Sequence, residues 1–169
     1  MICKKEKMPQ RKIVHDGLSN KYVNFLAKKC ISNFRAVLPS DIFSKKELSC
    51  GDKYIVNLAP SYESMGHFVV VCVEKDHFDF MDPYGLPVYN QFINKAFLKK
   101  PKFEVKHFKQ DIQGLGKISY FCGFYCLCYL ICKEKKITKK QFGSLFSRSF
   151  KDNEKICMSV IKKYLLEMK

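Results

Sequence analysis

Cys122 stands directly before Gly123 and opens the apolar run Cys122-Gly-Phe-Tyr-Cys-Leu-Cys-Tyr-Leu-Ile-Cys132, with Gln113 and a glycine-flanked loop upstream. This pattern suits a nucleophile at the N-terminus of a buried helix. The first amides there lack internal partners, and the helix dipole favours a thiolate. Gly123 leaves room for a substrate backbone to approach the thiol. A cysteine nucleophile also needs a base, usually a histidine held by a third polar group, and these partners can lie far away in sequence. His67 and Asp82 are such a pair. Residues 66–73 have the pattern of a strand, 74–77 of a turn, and 78–82 of a returning strand that stops at Pro83-Tyr84-Gly85. A turn centred between Glu74 and Lys75 places His67 opposite Asp82. One centred on Lys75-Asp76 makes them diagonal neighbours on the same face, and a slip of one residue separates them.

Each of these residues also has a plainer role. Cysteines in an apolar helix usually belong to the core, as expected for Cys126, Cys128 and Cys132, and for Cys72 and Cys157 elsewhere. His67 could be an ordinary strand-edge residue, Asp82 a turn aspartate bonding its own backbone, and Gln113 a loop amide. The order His67, Asp82, Gln113, Cys122 is what points to a cysteine hydrolase. A zinc site is not expected, because Cys122, Cys126, Cys128 and Cys132 lack a Cys-x2-Cys knuckle and one helix cannot surround an ion tetrahedrally.

The elements that must position these groups follow from hydrophobic spacing. Leu18, Tyr22, Phe25 and Leu26 predict a helix near 18–30, with possible caps at Asp16 and Ser19. Residues 34–41 read as a loop with a cap at Ser40, and 53–58 as a short strand ended by Pro60. A short helix over 92–97 and an alternating strand with one wet face over 102–108 precede the Gln113 loop. Two amphipathic helices follow the Cys122 helix, carrying Ile137, Phe142, Leu145 and Phe146, then Ile156 through Met168. The expected class is α+β: a small, mainly antiparallel sheet flanked by helices, with a buried central helix carrying the nucleophile.

With 169 residues and 47% hydrophobic content, the chain suits one domain over 1–169. Residues 1–15, rich in Lys4, Lys5, Lys7, Arg11 and Lys12, are expected to form a mobile basic arm. No apolar stretch reaches the roughly eighteen residues of a membrane span, and the start lacks the apolar core of a secretory signal, so no membrane partner and no secretion are expected. The nine cysteines are odd in number and sit largely in apolar runs, which favours reduced thiols. The net charge of +15 favours polyanions, with DNA or RNA as a candidate partner.

The ordered motifs resemble those of the adenovirus-type (adenain-like) cysteine proteases and their relatives in large DNA viruses. Gly66-His67-Phe-Val-Val70 is similar to the family's histidine strand, and Phe80-Met-Asp82-Pro-Tyr-Gly85 to its acidic segment. Asp111-Ile-Gln113-Gly114 and Phe121-Cys122-Gly123-Phe-Tyr-Cys126 are similar to its oxyanion and nucleophile segments. The resemblance covers residues 34 to 132. The ubiquitin-like-protein proteases share the same order of His, acid, Gln and Cys. The chain has Phe68 where the family more often has tryptophan, and it has no cysteine between Gly85 and Gln113, so the disulfide to the adenovirus activating peptide is not carried over.

The resemblance implies a cysteine endopeptidase fold with catalytic residues His67, Asp82, Gln113 and Cys122. It implies a narrow cleft between Gly66 and Gly123 as the substrate-binding residues, and no cofactor for the chemistry. DNA or an activating viral peptide are the candidate activators. Substrates would be viral structural precursor proteins cut after small residues such as glycine during virion maturation, by a monomer in the virion and the infected cell. The alternatives are a deubiquitinating or deSUMOylating-type protease and a non-enzymatic basic nucleic-acid-binding module.

Overall fold

A computed structural model describes residues 20–63, 66–115 and 120–168. The basic arm at 1–15, and the residues 16–19 that bear the expected caps of the first helix, lie outside the described residues. Along the chain run α1 (Asn20–Cys30), β1 (Phe34–Pro39), α2 (Ser40–Phe43), β2 (Lys53–Asn57), β3 (Phe68–Val73), β4 (His77–Met81), α3 (Gln91–Phe97), β5 (Glu104–Phe108), α4 (Cys122–Glu134), α5 (Lys139–Ser144) and α6 (Phe150–Glu167). The chain is α+β, a five-stranded sheet in the order β1-β2-β3-β4-β5 flanked by helices.

The sheet is mixed rather than mainly antiparallel. The β2–β3 and β3–β4 pairs are antiparallel, and both outer pairs, β1–β2 and β4–β5, are parallel. Parallel neighbours need long crossovers, which here are residues 40–52 with α2 and residues 82–103 with α3. The expected loop at 34–41 is instead edge strand β1 followed by α2. Pro39 ends the strand, where its missing donor is tolerated. Ser40 is the first residue of α2 rather than its cap, and its hydroxyl donates to Leu58 O at 2.9 Å.

Central β3 is buried at every position because both sheet faces are covered. Val70 and Cys72 point with Ile55 and Met81 into a core shared with α1, α4 and α6. Val69, Val71 and Val73 point with Phe78 and Phe80 into a second core under α2 and α3. Helix α4 is buried along nearly its whole length, packed against β3, α6 and α1. Cys126, Cys128 and Cys132, with Cys72 and Cys157, are core residues, and there is no disulfide among the described residues.

Asp79 on β4 is a buried carboxylate that meets Tyr129 Oη at 2.8 Å, Lys139 Nζ at 2.5 Å and Lys133 Nζ, while Lys133 also pairs with Glu74 at 2.8 Å. Burial pushes the Asp79 carboxyl up, but the two lysines outweigh it and hold the group below the usual carboxylate range. Among the described residues no helix is long and apolar enough to cross a membrane.

Candidate active site

The hairpin register decides the geometry. The pairs Val70↔Met81, Val71↔Phe80 and Val73↔Phe78 centre the turn on Lys75-Asp76, the second of the two registers considered. Continuing that count beyond the last pair makes His67 and Asp82 diagonal neighbours on one face, with Tyr84 facing His67. The side chains meet accordingly: His67 Nε2 lies 2.7 Å from Asp82 Oδ1.

The same Asp82 oxygen accepts the Tyr84 backbone N–H at 2.8 Å, so the aspartate is both the turn-former and the histidine's partner. The Tyr84 ring stacks on the imidazole, with centroids 4.5 Å apart and planes 21° from parallel.

Helix α4 brings Cys122 close to the same ring. Cys122 is the first helical residue, and no side chain caps this end of the helix. Two turns of geometry fix its place. Phe124 N and Tyr125 N bond Phe121 O, and the Cys126 thiol, one turn on, reaches Phe68 O at 3.3 Å, the residue after His67. The Cys122 side chain lies near enough to the imidazole to favour its charged form. Burial lowers the proton affinity of His67, but the bonds and charges of Asp82 and Cys122 outweigh it and raise the pKa from 6.5 to about 9. The ring is therefore an imidazolium at neutral pH. Cys122 is only 7% exposed and the His67 side chain 19%, so both groups are largely withdrawn from solvent.

Gln113 joins the group through Tyr84, whose hydroxyl accepts from Gln113 Nε2 at 3.3 Å. The loop that carries Gln113 docks on the turn after Asp82: Ile112 N and Gln113 N donate to Pro83 O at 2.9 and 3.2 Å. Glycine is required at two points of that contact. Gly85 has φ +70°, and a Cβ on it would lie 2.6 Å from the Gln110 carbonyl carbon. Gly114 has φ +89°, and a Cβ there would lie 2.8 Å from the Phe150 ring at the start of α6. Asp111 bonds Gln113 N, Gly114 N and Leu115 N through its carboxylate. Asn153 of α6, fully buried, donates to Ile112 O at 3.0 Å.

The structure thus brings His67, Asp82 and Cys122 into one chain of contacts and links Gln113 to it through one residue. Gly66 precedes His67 in the sequence and is exposed. A Cβ on it would fall 1.9 Å from Asn57 Oδ1, so the contact it makes is with the end of β2. Gly123 is buried as the second residue of α4.

Tyr84, Asp111 and Asn153 had no assigned role in the sequence. The Pro-Tyr-Gly punctuation after Asp82 marked the position of Tyr84, but nothing local marked Asn153, which acts across 41 residues. Burial first, then the neighbouring Cys122 and Asp82, push the Tyr84 phenol up, so it remains a hydroxyl. Among the described residues no group of three or more His, Cys, Asp or Glu side chains converges to hold a metal ion. No protein-family model matches the chain, and no curated protein matches it either.

Proposed function

We propose that the chain is a cysteine endopeptidase of the adenain-like type, with Cys122 as nucleophile, His67 as proton carrier, Asp82 as its orienting acid and Gln113 as oxyanion donor. The observation that carries this is the 2.7 Å contact of His67 with Asp82, with the Cys122 side chain at the head of α4 near the same ring. Cys122 Sγ attacks the scissile carbonyl carbon and forms the S–C bond. The imidazolium gives its proton to the departing amine as the C–N bond breaks, leaving a thioester. Water then attacks the thioester while His67 takes its proton, and the acid product leaves as the thiolate–imidazolium pair re-forms. The Cys122 backbone N–H, at an uncapped helix start, and Gln113 Nε2, turning from its long bond to Tyr84, donate to the oxyanion.

The low exposure of Cys122 supports cleavage after small residues such as glycine, and the resemblance supports viral structural precursors as substrates in the virion and infected cell. The net charge of +15 supports retention on packaged DNA. The same low exposure favours a second reading, a protease that removes ubiquitin-like modifiers by their Gly-Gly tails.

A glycine-terminated peptide aldehyde or vinyl sulfone tests the chemistry. Capture by the wild-type protein at Cys122, and none by Cys122→Ala, is the expected result. Absence of capture together with salt-sensitive nucleic-acid binding untouched by Cys122→Ala would instead favour the binding module. Cleavage of a modifier fusion but not of a viral precursor would select the second reading.

A further inference from the structure

The outer side of α6 borders a groove of about 940 Å³ whose described lining is that helix plus Phe121, the residue before Cys122. Lys151, Lys155, Met158, Lys162 and Leu166 follow one another at helical spacing, and Lys163 lies beside them, so an apolar strip runs between ammonium groups. Glu154 and Glu167 line the groove with the lysines, Asp152 lies beside it, and none of the three acids is without a partner. Asp152 takes Lys155 at 2.9 Å, and Glu167 takes Lys135, from outside the groove, at 2.6 Å. Lys151, Lys162 and Lys163 make no ion pair among the described residues.

We propose that this groove docks an acidic polypeptide segment, anchored by one or two apolar side chains, beside the catalytic cysteine; the inference rests on the cysteine-protease reading. Charge selects the occupant. The chain's own residues 1–19 carry Lys4, Lys5, Lys7, Arg11 and Lys12 against Glu6 and Asp16, and a second copy brings +15, so both are repelled. A phosphate backbone would satisfy the lysines but has nothing to bury Leu166, which is 68% exposed, or Met158. A segment held against Phe121 would present the adjoining stretch of the same polypeptide to Cys122 at high effective concentration. The preferred substrates are therefore proteins with an acidic, apolar-anchored segment near the cleavage site.

Fluorescence anisotropy on the full-length Cys122→Ala protein tests the docking without turnover. The probes are a short glutamate-rich peptide with leucines at i and i+4, the same peptide with serine for leucine, a lysine-rich counterpart, and a DNA duplex. The acidic leucine peptide is expected to bind tightest, to weaken with salt, and to lose about tenfold in affinity with K162E/K163E, two exposed positions whose reversal leaves the core intact. Equal binding of all the peptides, or binding unchanged by K162E/K163E, would overturn the proposal. DNA as the ligand lost in that variant would assign the groove to nucleic acid and overturn it as well. In the active protein, fusing the acidic segment to a glycine-site substrate is expected to lower KM in wild type and not in K162E/K163E. Intact peptide binding with no turnover of any substrate would sink the protease reading and leave the groove standing.

Discussion

Replacing Asp82 by asparagine removes the carboxylate that His67 meets at 2.7 Å while keeping a side chain of the same shape. In the native site burial works against the imidazolium, and the Asp82 and Cys122 contacts carry the pKa past the ordinary 6.5 to about 9. That gap corresponds to about 3 kcal/mol of preference for the charged ring, shared between the Asp82 and Cys122 contacts. With one anion gone and the burial penalty unchanged, the midpoint is expected to fall by at least about one pH unit, a tenfold change in proton affinity.

The direct assay is an NMR titration of the His67 ring, with Cys122→Ala as the matching removal of the other contact. Labelling of Cys122 by iodoacetamide gives the functional counterpart. Wild type is expected to react fast and nearly independently of pH across neutrality, whereas His67→Ala should respond like an ordinary thiol, slow until alkaline pH. The folded value lies above the unfolded one, so this interaction stabilises the fold fully below pH 6.5 and is lost as pH rises through about 9. A wild-type His67 midpoint at or below 6.5, or one that Asp82→Asn leaves in place, would refute the reasoning.

Cys122→Ala is expected to abolish peptide hydrolysis with the circular dichroism spectrum unchanged, and His67→Ala to do nearly the same. Asp82→Asn should cost less, and near-wild-type turnover by the Cys122 variant would end the mechanism. Gln113→Ala should lower kcat about a hundredfold with little change in KM, as steady-state kinetics would show. Asn153→Ala frees the Ile112 carbonyl that positions the same loop, so part of that kcat loss should appear, along with roughly 1–3 kcal/mol of destabilisation in urea unfolding. Asp79→Asn leaves Lys133 and Lys139 facing a neutral group and should cost about 3 kcal/mol by the same measurement. Because the Asp79 carboxyl is held below its ordinary range, its contribution is present above that range and lost as pH falls through the lower folded value. Acid titration of stability should therefore flatten in the variant.

What was legible in the sequence was whatever short-range pattern controls. The apolar run after Cys122 is a buried helix because its neighbours cover it on several sides, and the alternation around Glu74–His77 is a hairpin because both strands lie close in the chain. The contact between His67 and Asp82 follows from that local register. The β1 strand was not legible. Phe34-Arg-Ala-Val-Leu-Pro39 shows no clean alternation and ends in proline, and its partner is supplied by a parallel crossover. Strand direction at both sheet edges depends on such crossovers, which leave no trace in local hydrophobic period. The supports of the Gln113 loop were hidden for the same reason, since Asn153 and Phe150 reach it from a helix that follows the nucleophile.

On the proposed protease reading, His67 and Asp82 belong to a hairpin, whereas the nucleophile Cys122 heads a helix that must settle onto that hairpin before Cys126 can meet Phe68. The bond-breaking apparatus therefore comes into being only at the docking step that completes the larger core. A partly folded chain would hold either an idle acid–base pair or an unpaired thiol, and neighbouring newly made proteins would be safe from it until folding was finished.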